Sequence, residues 1–184
     1  MFQLEEQGVR VTSTNLAAQL KRLPAGEGLG TSLPSVGAMI RRMVRENLVK
    51  LDVDKQILLT KKGKMSAEEM VRRHRLAERM VVDLLGLELH KAHIEAHRLE
   101  HAISKDLEEK INDRLNKPST CPFGHPIPGN MEKNMEETMP LSKVVDGQRL
   151  VIDRVPEDDQ SLLEYFVSNN FVPGTEVIIS EAAA

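Results

Sequence analysis

Four histidines within the twelve residues HKAHIEAHRLEH (90–101) constrain this chain more than any other feature. On an α-helix, residues at i, i+4, i+7 and i+8 form one continuous face, here carrying His93, His97, Glu100 and His101. They stand where an amphipathic helix would otherwise place apolar side chains. The preceding helical stretch presents His74 and Glu78, again at i and i+4, and all six histidines fall between positions 74 and 125. Two facing helices would thus offer His74, Glu78, His93, His97, Glu100 and His101 to one or two cations. Mixed nitrogen and oxygen donors suit Mn²⁺, Fe²⁺, Co²⁺, Ni²⁺ or Zn²⁺ better than Ca²⁺ or Mg²⁺. A solvated surface position explains any one histidine, such as His90; the set together favours a metal centre. A purely structural cation is its main competitor. Cys121 and His125 share one turn-rich loop and form a secondary candidate, a soft accessory site, against the plainer reading of a structural elbow.

Hydrolytic chemistry does not follow from this pattern. His93-Ile94-Glu95-Ala96-His97 resembles H-E-x-x-H, but its carboxylate stands two places after the first histidine and points away from the metal. There is no Gly-rich phosphate loop, nucleophile elbow or Ser/His/Asp arrangement. The chain reads as a non-enzyme with no small organic substrate.

Charge and punctuation divide the rest. Residues 1–64 hold 11 Lys/Arg against 6 Asp/Glu, a net +5, and the remainder hold 14 against 22, a net −8. A basic end on an acidic body suggests a polyanionic partner. Residues 14–22 predict a short helix, and the Gly/Pro-rich stretch 23–32 a loop. LPSVGAMIRRMVRENLV predicts a second helix opening at Pro34 and Ser35. Its apolar face is Val36, Met39, Ile40, Met43 and Val44, with Arg41, Arg42 and Arg45 opposite. Two short strands around a turn at Asp52–Lys55 complete the order of a winged helix-turn-helix. Ser66 and Glu69 form an S-x-x-E capping box, predicting a long helix that ends near Gly86. A second long helix is expected from about His90 to Leu115. KPSTCPFGHPIPG ends this unit, and the last forty or so residues show strand, helix and strand signals.

The expected fold is therefore mainly α. It comprises a winged helix-turn-helix (1–64), a helical metal-binding and dimerisation domain (65–130), a linker (131–143) and a partial SH3-like, FeoA-like module (144–184). One cysteine precludes an internal disulfide, and no stretch reaches the roughly 18 apolar residues of a membrane span. A cytoplasmic protein without membrane association is expected.

VRRHRLAERMVVDLLGL, HKAHIEAHRLEHAIS and TCPFGHPIPG resemble the diphtheria-toxin-repressor family, which includes manganese-dependent regulators. LPSVGAMIRRMVRENLV is similar to its recognition helix and LLTKKGK to its wing exit. The resemblance implies a cytoplasmic homodimer that binds palindromic double-stranded operator DNA when Mn²⁺ or Fe²⁺ is present, with Zn²⁺ or Co²⁺ as substitutes in vitro. It implies a repressor of metal-uptake genes. It assigns His74, Glu78, His93, Glu100 and His101 to metal-binding positions. His97 falls where iron-responsive members carry Cys and manganese-responsive members carry Glu, which leaves the cognate metal open. Asp158 or Asp159 is a further candidate ligand. On the recognition helix, Ser35, Arg42 and Arg45 are expected at phosphates and Pro34 and Ala38 at base edges, with Gly37 and Arg41 completing the DNA-facing set. Three departures stand out: a first helix that begins half complete, a longer 23–32 turn, and a C-terminal module that stops after about forty residues. The alternative is a helical dimer with a structural metal and a protein-binding winged helix.

Overall fold

The computed structural model describes residues 1–6, 8–21, 30–130 and 138–180. The chain forms two compact units, 1–70 and 71–184. In the first, α1 (Phe2–Glu6), α2 (Ser13–Leu20) and α3 (Leu33–Arg45) are followed by strands β1 (Val49–Leu51) and β2 (Ile57–Leu59). Thr12 caps α2 by accepting from the Asn15 amide, and Ser32 caps α3 by accepting from the Ser35 amide. Val36 and Ile40 of α3 are buried with Val11, Leu16, Ala17, Val49 and Ile57. Met39 and Met43 pack at the margin, but Val44, expected on the same face, is 41% exposed. It lies at the edge of the apolar stripe, one position from exposed Arg45. The antiparallel β1–β2 pair sets Lys50 opposite Leu58. Asp52 Oδ1 closes its turn by accepting from the amides of Asp54 (2.9 Å) and Gln56 (2.7 Å). The expected 23–32 loop lies, for residues 23–29, outside the described residues.

Helix α4 runs Lys61–Arg79 and continues into a π-helical turn at Met80–Leu84. Its start corrects the expected capping box: Ser66 and Glu69 lie inside the helix. Thr60 is the cap, its Oγ1 accepting from the Gly63 amide at 3.0 Å while its carbonyl accepts from Lys64. A Cβ on Gly63 would meet the Leu48 carbonyl oxygen at 1.8 Å, so only glycine lets this helix start against the strand entry.

In the second unit the expected 90–115 helix is two helices, α5 (Leu89–Leu99) and α6 (Lys105–Arg114). Ser104 accepts from the Leu107 amide, and Asp106 and Glu108 occupy the first turn of α6. Ile103 is buried in the break. A cap followed by first-turn acids starts a new helix where apolar periodicity alone reads straight through. Three arginines on one face of α4 then grip the 118–130 elbow by its carbonyls. Arg72 Nη1 donates to Pro128 (2.5 Å), Arg75 Nη1 to Pro126 (2.6 Å) and Arg79 Nε to Thr120 (2.7 Å). Beyond residue 137, β3 (Arg149–Val151) pairs antiparallel with β4 (Glu176–Ile178), and α7 (Gln160–Ser168) lies between them in sequence. Leu163 of α7 is buried with Ala92 of α5, Phe123 of the elbow and Val155. Among the described residues no helix is long and apolar enough to cross a membrane.

Candidate metal centre and recognition helix

His74 and Glu78, one turn apart on α4, face His93 of α5. His74 Nε2 lies 2.9 Å from Glu78 Oε1 and 3.1 Å from His93 Nδ1, which is itself 3.1 Å from Glu78 Oε1. Glu157, from the extended segment after β3, completes a group whose four donor atoms all lie within 4.8 Å of one another. A second group, within the same limit, comprises His74, His97 and Glu100. There His74 Nδ1 lies 2.7 Å from Glu100 Oε2, and His97 Nδ1 3.3 Å from Glu100 Oε1.

The first group is enclosed. Glu78 is fully buried, and its Oε2 has no hydrogen-bond partner among the described residues. A buried carboxylate oxygen left unpaired is costly unless a cation or proton satisfies it. Burial alone would lower the His74 pKa, but the Glu78 carboxylate and hydrogen bonds to Glu100 and Glu78 raise it to about 10. Burial alone would raise that of Glu78, yet the imidazoles of His74 and His93 hold it well below the usual carboxylate range. Glu157 is pushed up by burial and by the Glu78 charge, against the pull of His125, His93 and His74. The pocket therefore holds protons that one divalent cation would replace. Nitrogen and carboxylate donors enclosed in this way fit a first-row transition ion.

Not every expected residue joins these groups. The His101 side chain is 67% exposed and stands 3.4 Å from Glu100 Oε1, outside both. The straight helical face that grouped it with His93 is lost when α5 ends at Leu99. Cys121 is buried, and burial together with the charges of Glu78 and Glu157 raises its thiol pKa. His125 Nε2 lies 3.5 Å from Glu157 Oε2. Of the C-terminal acids, Asp158 and Asp159 stay outside both groups. Asp159 is the N-cap of α7, accepting from the Leu162 amide at 3.0 Å. Glu157 was the residue missed. The signal was alternation: in an extended segment Val155 and Glu157 share a face, both buried, with exposed Pro156 between them.

On α3, Pro34, Ser35, Ala38, Arg41, Arg42 and Arg45 are exposed and Gly37 is half-buried. Ser35 Oγ lies 2.8 Å from Ser32 Oγ at the helix start, and Arg42 pairs with Glu46 at 3.6 Å.

A family model described as "Iron dependent repressor, metal binding and dimerisation domain" matches residues 60–129. A second, the FeoA domain, matches residues 139–184. The iron-dependent repressor IdeR of Mycobacterium leprae is 38% identical over 197 residues, covering 100% of this chain and 82% of the relative. The chain belongs to the iron-dependent, diphtheria toxin repressor family. The diphtheria toxin repressor of Corynebacterium diphtheriae is 35% identical over 150 residues, 80% of this chain and 62% of the relative. IdeR of Mycobacterium tuberculosis is 42% identical over 132 residues, and that match spans 54% of the relative's length, about half. Among solved structures, a manganese-dependent transcriptional repressor in complex with manganese superposes with TM-score 0.77 at 30% identity, covering 95% of this chain and 76% of that one. The manganese regulator SloR gives TM-score 0.77 at 29% identity, covering 100% and 81%. The mainly helical repressor fold with a small FeoA-type module is thereby that of this family.

Proposed function

We propose that this chain is a Mn²⁺- or Fe²⁺-dependent DNA-binding repressor that acts as a homodimer on palindromic operators. The observation that carries this reading is the buried group His74, Glu78, His93 and Glu157 with an unsatisfied Glu78 oxygen. When bound, the ion supplies a double positive charge that replaces the protons of this pocket. The chain's own residues do the rest. His74 and Glu78 sit on α4, the helix whose other end is seated at Thr60 against the winged strands. Fixing His74 and Glu78 against His93 and Glu157 restrains α4, and through it the spacing of the two recognition helices of a dimer. Half-sites one helical turn apart demand that spacing. Glu100, His97 and, after a small reorientation, His101 form the second donor group. Cys121 lies against Glu78 as a soft accessory donor and His125 against Glu157. On α3, Ser35, Arg42 and Arg45 engage phosphates, Arg41 extends the basic face, and Pro34, Gly37 and Ala38 approach base edges. Ala38 has no hydrogen-bonding group, so DNA shape supplies much of the specificity.

Fluorescence anisotropy on a family-type palindrome, with Mn²⁺, anaerobic Fe²⁺, Zn²⁺ or chelator, tests this. Coupling of the usual size tightens binding roughly 5- to 150-fold with metal, and both Glu78→Gln and His101→Ala reduce that gain. Metal uptake without any change in DNA affinity would instead identify a structural cation and a protein-binding winged helix.

A further inference from the structure

The outer face of α3 carries few groups that can tell one base from another. From Leu33 to Arg41 the exposed side chains are Leu33, Pro34, Ser35, Ala38 and Arg41. Leu33 is 56% exposed at the first residue of the helix, and with Pro34 and Ala38 it offers only apolar surface. The Ser35 hydroxyl is engaged by Ser32 Oγ at 2.8 Å. Arg41 supplies the remaining donors of this stretch, and its guanidinium lies nearer the helix start than its Cα does. A Cβ on Gly37 would meet Arg41 Nη1 at 3.5 Å, so the side chain runs back over the preceding turn. Among the described residues Arg41 has no acidic partner, whereas Arg42 pairs with Glu46 at 3.6 Å.

We propose that Arg41 reads one guanine in each operator half-site, its guanidinium carried over Gly37 to the base-reading end of α3. This rests on the DNA-binding reading above and goes beyond its phosphate contacts and shape readout. The N-terminal residues of a recognition helix are those that meet base edges in the major groove. Guanine presents two adjacent acceptors there, O6 and N7, which the planar guanidinium fork matches with two parallel N–H donors. Adenine sets an amino donor beside N7, and thymine sets a methyl beside O4, so neither accepts both bonds. At roughly 100° per residue, Arg41 falls between Leu33 and Ala38 on the helix circumference, on the same side as Gly37. A glycine inside a helix is destabilising relative to alanine; at position 37 its missing side chain leaves the path of the guanidinium clear. Leu33 and Ala38, flanking that path, meet thymine methyl groups at neighbouring steps. The arginines of α3 thus divide their work: Arg41 faces a base, and Arg42 and Arg45 face phosphates.

The test selects randomised duplex DNA with the full chain and Mn²⁺, then measures single sites by anisotropy. The wild type should enrich a palindrome with one near-invariant guanine per half-site. Changing that guanine to adenine should cost roughly 5- to 150-fold in affinity. A 7-deazaguanine at the same place, which lacks the N7 acceptor, should also weaken binding. Arg41→Ala should bind all four bases at that position about equally and be indifferent to the deaza base. Gly37→Leu keeps the charge but obstructs the guanidinium, so the guanine preference should fall while the salt slope holds. Arg41 is exposed and leucine is the better helix former at 37, so neither change endangers the fold. An Arg41→Ala motif identical to that of the wild type, with binding weakened evenly and a smaller salt slope, makes Arg41 a phosphate contact and overturns the inference. An undiminished guanine preference in Gly37→Leu overturns it as well. If the wild type enriches no sequence at all, the DNA-binding reading fails and the inference falls with it.

Discussion

Replacing Gly124 by alanine should weaken metal binding from a position outside both donor groups. Gly124 has φ +88°, and a Cβ there would meet the Asp153 carbonyl oxygen at 1.9 Å and Arg154 Cα at 3.1 Å. Both obstacles are backbone, so the elbow and the segment leading to Glu157 must separate. The left-handed conformation alone costs a non-glycine residue on the order of 1–3 kcal/mol. Separation also endangers the bond from the Val155 amide to the Phe123 carbonyl (3.1 Å), worth about 1 kcal/mol. A total of roughly 2–4 kcal/mol lowers the Tm of a chain of this size by roughly 4–16 °C, at about 2–4 °C per kcal/mol. Glu157 lies two residues beyond Val155, so its carboxylate leaves the group with His74, Glu78 and His93. Disturbing the residues that orient a ligand typically costs about 10- to 100-fold in metal affinity. Calorimetric Mn²⁺ titration of Gly124→Ala, Glu157→Gln and the double variant, with melting curves in parallel, measures both effects. Since both substitutions act through one carboxylate, their losses should not add. Wild-type affinity in Gly124→Ala, or fully additive losses, would refute the argument that the glycine seats Glu157.

Metal affinity should rise with pH across the neutral range. The apo His74 pKa is raised to about 10, so its paired charge stabilises the apo state fully below the unfolded value of 6.5, and this contribution fades as pH climbs toward 10. An ion must displace that proton, which gives about a tenfold affinity gain per pH unit in this window; Mn²⁺ titrations at pH 6.5, 7.5 and 8.5 check it, and a flat profile contradicts it. Arg42→Ala should weaken operator binding evenly across sequences and reduce the salt slope by about one, as read by anisotropy at several salt concentrations. Ser104→Ala should cost about 1 kcal/mol through loss of the α6 cap, while Ser66→Ala, mid-helix, should leave the Tm nearly unchanged. Equal melting shifts for the two serines would return the capping box to position 66.

The donors were legible where periodicity alone was enough. His74 and Glu78, and His93 and His97, are i, i+4 pairs within unbroken helices, so a 3.6-residue repeat shows that each pair shares a face. Glu100 falls in the second donor group even though α5 stops one residue before it, because it keeps helical dihedrals as the cap. His101, the next residue, is past that point and turns to solvent. The same blindness hid the Ser104 cap and misplaced the start of α4: apolar spacing continues through both, and only local hydrogen bonds decide where a helix begins. Glu157 was obscured for a different reason. It is brought to His74 across more than eighty residues of chain, and the acidic triplet Glu157-Asp158-Asp159 offers three carboxylates of which the strand alternation selects one for the pocket and the helix cap claims another.

The placement of Glu157 follows from a sequence of backbone contacts that starts at α4. Arg72, Arg75 and Arg79 recur at i, i+3 and i+7, one face of the helix, and each bonds a carbonyl of the elbow. His74 and Glu78 lie between them in sequence, so one rigid helix sets both the ligands and the elbow's position. The elbow in turn receives the 153–157 segment at Gly124 and at the Phe123 carbonyl. An ion drawing Glu157 toward Glu78 therefore tightens a contact between the FeoA-type module and the helical core that already exists without it. The ion's leverage on that module is limited to the difference between its affinities for the docked and undocked states. It follows that removing Glu157 should diminish metal affinity and module docking together, whereas removing His97, a member of the Glu100 group, should leave docking untouched.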